Sequence, residues 1–141
     1  MKTWAVMYAL IWVAFLQILI VLFPVFGTGY SDDLHAVVGF VVLLMAYTVN
    51  GRIRATHCPD RIKRIVKATF FFSVFQAVLG VALYAALLAN VEGAVLGFAD
   101  FLHVVAAITI ITQASSSATA YDMWEEKEFN QAPSPIPPAQ S

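Results

Sequence analysis

Four apolar stretches run along the chain, at about residues 4–26, 34–51, 65–89 and 98–120, each separated from the next by a polar or glycine-bearing connection. Each approaches the twenty or so residues that a helix needs to cross a hydrocarbon core about 30 Å thick. Strands in lipid would leave open edges with unpaired backbone groups, so runs of this length predict helices. Pro24 and "GTGYSDD" close the first run and open the second, and Asn90 with "VEGAVLG" separates the third from the fourth. Short connections make consecutive helices antiparallel neighbours. The pattern therefore predicts an all-α fold: a polytopic membrane protein built as an antiparallel four-helix transmembrane bundle over residues 1–124. Residues 125–141, "EEKEFNQAPSPIPPAQS", are expected to form a disordered, proline-rich cytoplasmic tail.

Composition agrees. The 141 residues are 60% hydrophobic and only 12% charged, with a mean hydropathy of +0.77, whereas soluble domains are about half apolar. The first run is too long for the apolar region of a signal peptide and leads to no polar mature domain, so it reads as a retained helix. Charge placement sets the orientation. Every Lys and Arg lies at the N-terminus (Lys2), in the middle connection (Arg52, Arg54, Arg61, Lys63, Arg64, Lys67) or near the end (Lys127), while the other connections carry only acids: Asp32, Asp33, Glu92 and Asp100. Positive residues stay on the cytoplasmic side, which places both termini inside and the acidic connections outside. The net charge of −1 says nothing about nucleic acid, and with no basic patch interleaved with aromatics no nucleic-acid partner is expected. Membrane lipid is the expected surrounding. A single cysteine, Cys58, excludes an internal disulfide and reads as a thiol of the cytoplasmic loop. Beside His57 it is too small a donor set for zinc.

The chain repeats itself. "FLQILIVLF" in the first run and "VFQAVLGVAL" in the third each carry a glutamine, Gln17 and Gln76, followed by aliphatics; "DDLHAVVGF" and "DFLHVVAAI" open the second and fourth. The bundle thus reads as two repeated helical hairpins, each a Gln-bearing helix followed by an Asp-x-x-His helix. His35 and His103 fall at matched depth on diagonal helices, each three residues after an aspartate, Asp32 and Asp100. An ionisable side chain inside a membrane span is costly and marks function. Two facing imidazoles can hold a flat metal macrocycle, since haem iron needs only axial ligands from the protein. Gly39 and Ala107 follow the two histidines by four residues, on the same helix face, and would open a slot for it, with Ala36 and Ala106 flanking. The plainer readings are small residues that permit close helix packing and neutral histidines bonded to carbonyls. Asp32 and Asp100 either cap helix N-termini or reach an imidazole and strengthen its donation; a proton relay between acids and imidazoles is a further reading.

A Gln-bearing helix, an outer loop and an acid three residues before His, all repeated, resembles one half of haem A synthase. That family consists of two similar four-helix bundles with a histidine on the second and fourth helix of each, and it converts haem O to haem A. The resemblance spans roughly residues 4–120 and implies haem ligation by His35 and His103. The family's substrate half carries Glu-x-x-His, often followed by Arg. Here the motif is Asp32-x-x-His35-Ala36 and the family's outer-loop cysteine pair is missing, so the likeness is to the cofactor half. The leading expectation is a membrane subunit binding one haem b per chain near the outer face. It would transfer electrons in a respiratory oxidase or quinol-oxidising assembly, alongside other subunits or a second copy of itself. Haem contacts are expected from His35, His103, Gly39, Ala107, Asp100, Gln17 and Gln76. The alternatives are a short homodimeric haem A synthase with Asp32 as its catalytic carboxylate, and a haem-free scaffold whose "QASSSATAY" segment packs against neighbouring subunits.

Overall fold

The computed structural model describes residues 2–23 and 28–130, and all four of its long elements are helices. They are α1 (Thr3–Leu22), α2 (Thr28–Arg54), α3 (Asp60–Leu88) and α4 (Ala94–Asn130). All four are long and apolar enough to cross a membrane. Pro24 and residues 131–141, which include the prolines of the tail, lie outside the described residues.

α2, α3 and α4 extend beyond their apolar runs where those runs meet charged residues. Arg, Lys and Glu are good helix formers, so a charge ends the lipid-compatible segment without ending the helix. α2 continues through Arg52 and Arg54, and α3 already starts at Asp60, leaving a connection of residues 55–59. Amides of Ala55 and Thr56 bond the carbonyls of Arg52 and Ile53, and the Thr56 hydroxyl donates to Ile53 O at 2.8 Å. Pro59 then stands at the N-cap of α3. At the other end, Asn90 takes a left-handed φ of 49° and Gly93 a φ of 153°. Asn and Gly tolerate such angles best, and the chain reverses within residues 89–93.

Two expected boundaries shift as a result. α2 begins at Thr28 and α4 at Ala94, so Asp32 and Asp100 sit inside helices, and neither first turn contains an acid. Capping is therefore not what these aspartates do. Residues 125–130 of the expected tail are helical. The helix runs through Glu125, Glu126, Lys127 and Glu128 to Asn130, because nothing in that stretch breaks it before the prolines.

The helices pack in a ring: α1 against α2 and α4, and α3 against α2 and α4, with no comparable contact across either diagonal. One end of the bundle is a closed apolar core. Val6 and Met7 at the start of α1 meet Val49 and Ile53 near the end of α2, Ile62 and Val66 at the start of α3, and Ala118 and Tyr121 late in α4. That pairing of starts with ends shows that consecutive helices run in opposite directions. Cys58 lies in the connection between α2 and α3, as expected of a loop residue, and its side chain is buried in this core at 3% exposure. The short connection tucks back between helix ends, and a small apolar side chain fills the gap. Above it lies a second layer of Leu10, Ala14, Val42, Ala46 and Ala114. Large apolar side chains such as Trp12, Leu44, Phe71 and Ile108 point outward. Thr48, Thr109 and Thr112 donate to the carbonyls of Leu44, Val105 and Ile108 on their own helices, as hydroxyls facing lipid must. In the "QASSSATAY" segment, Ala114, Ser117, Ala118 and Tyr121 are buried inside the bundle, so these small residues serve packing within the chain.

Candidate metal centre

Beyond the second apolar layer the inner faces turn polar. Gln17 and Gln76 are buried at 9% and 8% exposure, on diagonal helices whose backbones do not approach each other closely. His35 and His103 come from the other diagonal pair, half-buried, with ring centres 6.0 Å apart and planes inclined by 58°. The two imidazoles therefore meet where the backbones of α2 and α4 do not.

His35 is held by one residue of the neighbouring helix. Its Nδ1 lies 2.9 Å from the main-chain carbonyl of Gln17. A carbonyl only accepts, so Nδ1 carries the proton and Nε2 is left as the acceptor. The Gln17 side-chain amide donates to that Nε2 at 3.4 Å. His103 is held more loosely. The Gln76 backbone approaches it, but its buried Nδ1 makes no hydrogen bond, and neither does the buried Oε1 of Gln76. The two hairpins thus place matching residues together, with one hydrogen bond made and its counterpart open.

The glycines explain the close fit. A Cβ on Gly39 would lie 2.9 Å from the Gln17 Nε2, so the space beside Gly39 holds that amide. A Cβ on Gly80 would lie 3.1 Å from Cε1 of His103. Gly80 follows Gln76 by four residues and so shares its helix face. That spacing was available in the sequence, but Gly80 was not among the expected contacts. On α4 it is Ala106, at 3% exposure, that faces the core, while Ala107 is only half-buried. These contacts separate the two glycines by experiment. Gly39→Ala displaces the far end of a flexible side chain and gains helix propensity of up to about 1 kcal/mol, so its stability should match or exceed the parent. Gly80→Leu drives a branched side chain into the His103 ring and should cost about 1–3 kcal/mol. Unfolding in detergent micelles measures both.

The acids stay apart from the imidazoles. Asp100 acts on His103 through space, yet neither Asp32 nor Asp100 hydrogen-bonds a histidine. Asp33 instead accepts a hydrogen bond from Tyr84, joining α2 to α3 at this end of the bundle. Nothing in the local sequence marks Tyr84 as that partner. Farther down, the Thr69 hydroxyl contacts Gln113 Oε1 at 3.3 Å, a second cross-helix polar contact that the sequence did not indicate.

The separation of the ring centres, 6.0 Å, is that of two rings in contact. Among the described residues no cluster of three or more His, Cys, Asp or Glu side chains could hold a metal ion. No family model, curated protein or solved structure matches the chain.

Proposed function

We propose that this chain is a membrane haem protein that binds one haem b between His35 and His103 and passes electrons within a respiratory oxidase or quinol-oxidising assembly. The observation that carries the reading is the pair of imidazoles 6.0 Å apart, contributed by diagonal helices whose backbones do not approach each other closely. Bound there, a haem iron with both axial positions filled would supply reversible one-electron chemistry.

The chain's own groups prepare the site. The Nδ1–H bond from His35 to the Gln17 carbonyl fixes the tautomer and turns Nε2 inward, the role that outer partners play for metal-bound histidines. The Gln76 carbonyl would be the matching acceptor for His103, whose Nδ1 makes no hydrogen bond. The Gln17 amide, at the end of a flexible side chain, has to swing away from Nε2 for the ring to bind metal. Asp32 and Asp100 lie about one turn from their histidines, where their negative charge would favour the oxidised centre.

The two hairpins are read as a repeat. The positive-inside pattern places both termini in the cytoplasm and the histidine layer near the outer face. The likeness to the cofactor half of haem A synthase is consistent with this assignment. The catalytic alternative with Asp32 has less support, since the motif here is Asp32-x-x-His35-Ala36, with a shorter carboxylate than Glu and no arginine after the histidine.

The reduced-minus-oxidised absorption spectrum of the purified full chain tests the proposal. Expression in a haem-producing host should yield about one low-spin haem per chain. Protein that is folded and helical but lacks haem absorption would overturn the reading in favour of a hydrogen-bonded scaffold.

A further inference from the structure

The opposite end of the bundle holds a second polar feature, at the junction of α2 and α3. A cleft of about 530 Å³ is lined by Arg54, Asp60, Lys63, Arg64 and Lys67. Four cations face one carboxylate there. Among the described residues no Asp or Glu forms an ion pair with any of the four cations. Like charges held this closely repel one another, so the cleft favours an anion large enough to touch several of them.

The surface leading away from the cleft indicates which anion. Arg64, Lys67, Phe71, Phe75 and Val78 follow one another at spacings of three and four, and so share one face of α3. Lys67 Nζ sits 5.8 Å from the centre of the Phe71 ring. Phe71, Phe75 and Val78 are 58%, 45% and 64% exposed. A cationic pocket thus continues directly into an apolar, outward-facing stripe, which matches a phosphate headgroup joined to acyl chains better than it matches a free ion.

We propose that this cleft binds the phosphate of an anionic phospholipid in the adjoining leaflet, with an acyl chain lying along Phe71 and Phe75. Basic pockets between membrane helices recognise such headgroups by charge. The inference rests on the chain's place in a bilayer and not on haem, so the haem spectrum and the lipid measurement can fail separately.

The full chain, reconstituted in nanodiscs of equal phosphatidylglycerol and phosphatidylcholine and released into mild detergent, is examined for retained lipid by native mass spectrometry. Phosphatidylglycerol should be retained over phosphatidylcholine by about tenfold or more. The double variant Arg64→Gln with Lys67→Gln should bring the two lipids near parity, as should Arg54→Gln with Lys63→Gln. The second pair keeps the test intact if the first misfolds. Lys2→Gln with Lys127→Gln removes the same charge outside the cleft and should leave the preference in place. Equal retention by the parent chain, or an equal loss in the control variant, overturns the proposal. Displacement of the lipid by millimolar inorganic phosphate would identify a free-ion site and overturn the lipid assignment.

Discussion

His103→Ala should give a protein that still folds and inserts but has lost the six-coordinate low-spin spectrum, and His35→Ala should do the same. Each change removes one of the two proposed axial ligands. The loss of haem affinity should therefore exceed the roughly 10- to 100-fold that changes to outer partners cost at metal sites. Added imidazole can enter the space left by the missing ring and should restore the low-spin bands, which distinguishes a lost ligand from a collapsed fold. Two controls sharpen the result. His57 is exposed in the connection between α2 and α3, in the other half of the bundle, and His57→Ala should leave the spectrum unchanged. Gln17→Ala keeps the main-chain acceptor of His35 and removes the amide that competes for Nε2, so haem binding should persist or tighten. Low-spin haem that stays fully bound in both histidine variants would refute the ligand assignment.

Ile53→Ala should be among the most destabilising single changes in the chain, costing about 2–5 kcal/mol. The side chain is fully buried, in a cluster to which all four helices contribute. Its removal leaves a void among elements fixed by their own packing, since the neighbouring Met7, Val66 and Ala118 are themselves buried. The matched change on the outside, Leu44→Ala, concerns a side chain 65% exposed on the same helix. Its effect should stay within about 0.5 kcal/mol, as for other substitutions away from the core. Reversible unfolding in mixed micelles measures both. Similar losses at the two positions would mean that this end of the bundle is not its packed core.

The sequence by itself determined the helical class, the four spans and the pairing of His35 with His103, because each follows from local composition or from a repeat. An apolar run long enough for lipid leaves helix as the backbone's solution, and the repeated Asp-x-x-His spacing marked the two histidines that the structure brings together. The same reading misplaced the helix ends. Hydropathy marks where lipid stops, whereas a helix stops where backbone geometry changes, as at Asn90 and Gly93. Thus Asp32 and Asp100 became helix-interior residues, and the helix of the C-terminal segment extends to Asn130.

Only the tertiary structure decided which partners meet. The bond from His35 to the Gln17 carbonyl, the contact of Gly80 with His103, the link from Tyr84 to Asp33 and the burial of Cys58 all join residues from different segments. Their pairing depends on how each helix is rotated about its axis. In a chain whose lipid-facing side is as apolar as its core, hydrophobic pattern carries little information about that rotation. Close packing of small and polar side chains sets it instead, and such packing exists only once all four helices are assembled.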